Sequence, residues 1–289
     1  PFADASAMPT LRVCELAREH VTVALSGDGA DEAFAGYRRQ LFHAREEQAR
    51  SVLPAALRQP VFGALGRIWP KADWAPRPLR AKTTLLSLAA SGEGGYARAL
   101  SILAPEQREG LYGETLLQER GQYRAEQPFE KLMRNAPARS GLDRAQYADL
   151  KFWLPGDILT KTDRTSMAVG LEAREPLLDH RLIEFGARLP HRQRIRRTTG
   201  KWLMKHTMER YLPQDILYRQ KQGFVTPLAE WFRGPLAGEA RAVASSEFLT
   251  GSGWFARKAL SRLADDHIAG RSDHGRVLWQ LLMLGRSLR

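Results

Sequence analysis

The chain has 289 residues, 43% hydrophobic and 26% charged, a balance that excludes a disordered or collagen-like polymer and suits one large domain or two small ones. Its single cysteine, Cys14, rules out an intrachain disulfide and a cysteine-based zinc site, and makes a reducing, cytoplasmic setting the default. Forty-four Lys and Arg against 32 Asp and Glu leave a net charge of +12, but the excess is spread along the chain and its densest run, Arg192 to Arg197, is short; this favours a solvated basic surface over a nucleic-acid groove.

In chain order, apolar positions at Leu11, Cys14 and the Leu16/Ala17 pair predict a helix over Pro9 to Glu19. The β-branched run His20 to Ser26 then predicts one buried strand, closed by a tight turn at Gly27-Asp28-Gly29 and followed by a helix over Ala30 to Arg50. In an open α/β sheet such a turn lies at the ligand crevice, where loops at the carboxyl ends of parallel strands converge. No second strand is as clear. Val52 to Ala138 carries eight prolines, Pro54, Pro60, Pro70, Pro76, Pro78 and Pro105 among them, and several glycines between short helical runs such as Leu79 to Ala90. From Leu142 onward the helical pattern strengthens, with Asp157, Asp179, Thr199 and Ser272 as candidate N-caps and two final helices, Trp254 to Ile268 and Asp273 to Leu288. No uncharged apolar run reaches the roughly 18 residues a membrane span needs, and Pro1 to Thr10 lacks an export signal, so no membrane partner is expected. The opening Pro1, in place of Met, leaves room for preceding sequence.

Three segments could carry chemistry. In Ser26 to Glu32 two glycines allow a ligand close to the backbone, and the N–H groups of a strand-to-helix turn can seat an anion. Three carboxylates there suit a phosphate only if a divalent metal such as Mg²⁺ bridges them. The segment equally fits a plain glycine turn whose acidic first helical turn complements the macrodipole. In Asp157 to Met167, Asp157, Lys161 and Arg164 share one helical face, and Glu172, Arg174, Glu175 and Asp179 follow; ion pairs on a solvated face account for such density more readily than a polar site. In Tyr218 to Phe224, Arg219 and Lys221 form a basic pair beside Gly223 in a loop, read either as a surface turn or as a phosphate contact.

Taken together, Val23 to Tyr37 (VALSGDGADEAFAGY), Leu154 to His180 (LPGDILTKTDRTSMAVGLEAREPLLDH) and Gly200 to Phe224 (GKWLMKHTMERYLPQDILYRQKQGF), with PFADASA at the start, resemble the synthetase domain of glutamine-dependent asparagine synthetases. The resemblance covers nearly the whole chain and is weakest in the middle helical stretch. It implies an α/β fold of the adenine nucleotide alpha-hydrolase type, with a Rossmann-like parallel sheet, of which residues 1–289 would be a predominantly helical C-terminal portion. It further implies ATP and Mg²⁺, adenylation of the aspartate side chain, and displacement of AMP by ammonia that an N-terminal glutaminase domain releases from glutamine. On that resemblance Ser26, Gly27 and Gly29 would lie against the nucleotide, Asp31 would hold Mg²⁺, Asp28 would face the intermediate and handle the ammonia proton, and Lys221 would steady phosphate charge. Asp163 and Arg164 would be candidates for the aspartate pocket. The family's SGGxDS pyrophosphate loop and its glutaminase cysteine are not in this chain, so the chain alone is expected to bind ATP poorly and not to hydrolyse glutamine. Related enzymes adenylate other carboxylates, and a non-catalytic basic module would keep the fold without the loop; both stand as competing readings.

Overall fold

The structure, a computed structural model, describes residues 1–69, 81–220 and 223–288, and the chain divides into two compact units. The larger unit comprises Ala17–Leu100 and Glu126–Gln222. Its described elements that bear on the site are β1 (Val23–Leu25), α1 (Ala30–Phe34), α2 (Arg38–Val52), α3 (Gly92–Leu100), α4 (Gln127–Arg134), α5 (Gly141–Ala148), α6 (Thr160–Met167), β2 (Glu172–Arg174), α7 (His180–Arg188) and α8 (Trp202–Met208). The unit is mostly helical around a small parallel sheet, in which β1 pairs with β2 in the register Val23 with Glu172 and Leu25 with Arg174.

Several expectations are corrected. The strand is shorter than His20 to Ser26 and is not buried: Leu25 is 74% exposed, because among the described residues β1 has one strand partner. The second strand, Glu-Ala-Arg, is not apolar and so gave no periodic signal; it exists because β1 supplies the hydrogen-bond ladder. The helix foreseen over Ala30 to Arg50 breaks at Ala35, whose φ of 56° lies in the left-handed region, before Gly36 and Tyr37 lead into α2. Of the four foreseen N-caps, Asp179 caps α7 by accepting the Arg181 N–H, whereas Asp157 sits inside a helical stretch and α8 begins after Lys201. Between α5 and α6, Asp149–Leu159 winds as a π-helix containing Pro155. A wider turn accommodates the ring and missing N–H of Pro155 at less cost than a regular α-helical turn.

Small cores hold this unit together. Ala33, Phe34 and Leu189 pack with Leu182, Ile183, Leu203 and Met204, joining α1 to α7 and α8. Tyr96, Ala97, Phe129, Met133, Ala145 and Ala148 join α3, α4 and α5. Beneath them lies a polar network around the fully buried Asp149, whose Oδ2 accepts from Tyr96 Oη at 2.7 Å and Gln40 Nε2 at 2.8 Å, and whose Oδ1 accepts from Arg39 at 3.2 Å.

The smaller unit comprises Pro1–Leu16, Ser101–Ala125 and Gly223–Arg289. There α9 (Leu228–Arg233), α10 (Ala237–Ala244), α11 (Arg257–Ile268) and α12 (Gly275–Ser287) bury Phe232, Leu260 and Leu278 among them. Buried His267 on α11 uses both ring nitrogens: Nε2 lies 3.1 Å from the Ala229 carbonyl, and Nδ1 accepts the His274 N–H at 2.9 Å. No described helix is long and apolar enough to cross a membrane.

Candidate functional site

The carboxyl ends of β1 and β2 lie side by side, because the Ser26 N–H continues the ladder by donating to the Arg174 carbonyl at 2.7 Å. The chain then turns: Ser26 Oγ accepts the Asp28 N–H at 3.2 Å and donates to Asp28 Oδ2 at 2.9 Å. Thr162 of α6, 134 residues away, donates its hydroxyl to the same Oδ2 at 2.9 Å. A Cβ added to Gly27 would meet nothing within 4 Å, so the fold itself does not require glycine there. Gly29 is different: its φ is 90°, and an added Cβ would come within 2.1 Å of Leu178 Cδ2. Backbone conformation and packing both call for glycine at position 29.

The three carboxylates of the motif do not converge on one point. Asp28 is held as above. Asp31 turns towards α8, where it forms an ion pair with Lys201 Nζ at 2.8 Å. Glu32 points into the protein, 1% exposed, and accepts from Tyr37 Oη at 2.6 Å. Burial pushes the Glu32 carboxyl up from its ordinary range, opposed by that hydrogen bond. The Tyr37 phenol is driven up as well, by burial and by the Glu32 charge. Gln146 Nε2 caps the arrangement by donating to the carbonyls of Glu32 and Ala33 at 2.6 and 3.1 Å. Among the described residues no group of three or more His, Cys, Asp or Glu side chains could hold a metal ion. Asp31, the motif carboxylate expected to hold Mg²⁺, already has the Lys201 ammonium 2.8 Å away, so it would take that ion only by giving up this partner.

Backbone interlocking places Lys201. Its φ is 53° and its N–H donates to the Phe34 carbonyl at 3.1 Å, while the neighbouring Gly200 comes so close to Ala35 that an added Cβ would lie 2.3 Å from that carbonyl oxygen. Lys205, one turn along α8, has its ammonium held below the usual lysine range by burial and by the charge of Lys201. The Lys205 ammonium lies 5.4 Å from the Tyr218 ring, which ties the stretch before Lys221 to the same helix. Lys221 itself lies outside the described residues. Lys201 escaped the reading of the sequence. The available signal was the pair of lysines four apart in GKWLMK, whose importance depends on Asp31 lying opposite.

Asp163 and Arg164 are exposed on α6 and are not gathered with Asp31 and Lys201. Glu175, directly after β2, was not singled out for the site. Burial raises its carboxyl above the ordinary range, and the charges of Asp28 and Asp163 add to that. Asp28 thus lies near another carboxylate, Glu175, and among the described residues its side chain accepts from two hydroxyls, whereas Asp31 is paired with an ammonium.

Comparison with known proteins adds the following. The asparagine synthase family model matches residues 1–289. The chain is 35% identical to a provisionally named glutamine-hydrolysing asparagine synthetase of Mycobacterium tuberculosis, over 98% of this chain and 41% of that protein. It is 27% identical to glutamine-hydrolysing asparagine synthetase 1 of Bacillus subtilis, over 98% of this chain and 43% of that protein, and 33% identical to the Mus musculus asparagine synthetase over 40% of this chain and 23% of that protein. The chain thus spans about two fifths of the length of the first two curated relatives. No solved structure matches it.

Proposed function

Because this chain belongs to the asparagine synthase family, we propose that residues 1–289 form the C-terminal portion of a cytoplasmic synthetase domain that makes asparagine from aspartate, ATP and ammonia. The parallel pair β1 and β2 belongs, on this reading, to a sheet of the adenine nucleotide alpha-hydrolase type. An N-terminal glutaminase domain of the same polypeptide releases the ammonia from glutamine. One observation carries the reading: the Ser26 to Asp28 turn lies at the carboxyl ends of two parallel strands, where ligands of open α/β sheets bind, with the ion pair of Asp31 and Lys201 following directly in α1 and α8.

In the first step an oxygen of the aspartate side chain attacks the α-phosphorus of ATP, and the bond to pyrophosphate breaks. Gly27 lets the nucleotide approach the backbone. Lys201 and Lys221 stabilise charge accumulating on the departing phosphates. Asp31 is the residue that would hold Mg²⁺, which neutralises phosphate charge when bound. In the second step the ammonia nitrogen attacks the side-chain acyl carbon, its bond to AMP oxygen breaks, and one proton passes from nitrogen to the Asp28 carboxylate. Both steps use charges that the fold has already placed, which is the form of catalysis in which little reorganisation is needed.

The test is ATP–pyrophosphate exchange by the protein as the cell makes it, with aspartate as the only carboxylate. Exchange that requires aspartate and falls at least about tenfold in Lys201→Ala and in Lys221→Ala supports the assignment. A folded protein that exchanges equally without aspartate, or not at all, refutes it.

A further inference from the structure

Hydroxyls of threonine within helices usually donate back to a carbonyl on the preceding turn. This chain follows that habit repeatedly: Thr165 donates to the Lys161 carbonyl at 2.8 Å, Thr207 to Leu203 at 2.9 Å and Thr250 to Ser246 at 2.9 Å. Even Thr160, at the start of α6, donates to the Pro155 carbonyl at 2.8 Å. Thr162 does not. Its hydroxyl is diverted across to Asp28 Oδ2, the atom that Ser26 Oγ also holds.

The chemistry of that choice is specific. Asp28 lies near Glu175, and like-charge repulsion would swing its carboxylate away. A lysine or arginine could hold it in place, as Lys201 holds Asp31, but the ion pair would draw off the negative charge that makes a carboxylate basic. Two neutral hydroxyls fix one oxygen without bringing a compensating positive charge. Among the described residues both side-chain hydrogen bonds given to the carboxylate land on Oδ2, so Oδ1 is the oxygen presented for other work.

We propose that Thr162 is a positioning residue for the ammonia step: with Ser26 it clamps Oδ2 of Asp28 so that Oδ1 is aimed to take the proton from the attacking nitrogen. The inference rests on the reading under Proposed function and extends it to a residue on a different element from the glycine turn. Thr162 touches neither reactant and acts through Asp28.

The experiment uses the protein as the cell makes it, in four variants: Thr162→Val, which keeps the shape and removes the donor; Thr162→Ser, which keeps the donor; Asp28→Ala; and Thr162→Val combined with Asp28→Ala. Two rates are measured on each, aspartate-dependent ATP–pyrophosphate exchange and asparagine formation from added ammonium chloride. Thr162→Val is expected to lower kcat for asparagine formation about tenfold, the scale on which one hydrogen bond to a charged group is felt, with KM for ATP and aspartate and the exchange rate unchanged. Thr162→Ser restores the rate. In the Asp28→Ala background the threonine change has no further effect, as coupling through Asp28 demands. Equal loss of exchange and of asparagine formation, failure of serine to rescue, or an additive loss in the double variant would each overturn the proposal. Wild-type protein lacking aspartate-dependent exchange overturns the functional reading itself, whereas normal wild-type exchange with a fully active Thr162→Val removes this inference alone.

Discussion

His43 predicts how the larger unit responds to acid. The ring is 2% exposed on α2 and faces Tyr96 with ring centroids 4.9 Å apart. The Gly141 backbone, Glu47, Arg50 and Arg144 lie around it, yet neither ring nitrogen completes a hydrogen bond of normal geometry. Burial is the main cause that brings its pKa down to about 4, with Glu47 opposing and Arg50 and Arg144 assisting. In the unfolded chain it titrates near 6.5. With the folded value below the unfolded one, the stability contributed by the neutral ring is fully present above pH 6.5. It is lost as the pH falls from there and levels off below about 4. Between pH 7.5 and 5.0 the loss is about 2 kcal/mol, and the limiting loss at lower pH is about 3 kcal/mol. His43→Leu removes the titration and keeps an apolar side chain against Tyr96. Urea unfolding of both proteins at the two pH values, followed by circular dichroism, isolates the histidine, because every other titrating group is common to both. Wild type should lose about 2 kcal/mol more than His43→Leu over that interval. Identical pH dependence of the two would refute the argument that the buried ring resists protonation.

Asp149→Leu leaves the Arg39 guanidinium, held 3.7 Å above the Tyr37 ring, without its carboxylate partner; a loss of about 3 to 5 kcal/mol is expected in urea unfolding, and a loss under 1 kcal/mol would show the network to be dispensable. Gly27→Ala, where an added Cβ meets open space, should change stability by less than about 0.5 kcal/mol while weakening ATP binding, as isothermal titration of the complete protein would measure. In Gly36→Ala the new Cβ would fall 1.9 Å from Asp31 Oδ1, so the ion pair with Lys201 must break, and aspartate-dependent exchange should drop by at least about tenfold; unchanged exchange would show that Asp31 is not needed where it stands.

What could be read from the sequence was local. The glycine turn after a short β-branched run, the Asp179 cap and the family's motifs are all encoded within a few residues of one another, where backbone sterics and capping chemistry act without help from the rest of the fold. Ser26 and Asp28 needed no tertiary information to be noticed, and their mutual hydrogen bond is itself a two-residue event. The roles within the motif were a different matter. Asp28, Asp31 and Glu32 look alike in the sequence, but Thr162, Lys201 and Tyr37 respectively divide them into a clamped carboxylate, an ion-paired one and a buried one. Two of those partners come from more than a hundred residues away. The strand Glu172–Arg174 likewise has no periodic signal of its own and exists only through its pairing with Val23–Leu25. Composition, turns and caps are short-range consequences of residue type. Which charge meets which donor depends on long-range packing, and that was decided only when the left-handed turns at Ala35 and Lys201 locked α1 against the start of α8.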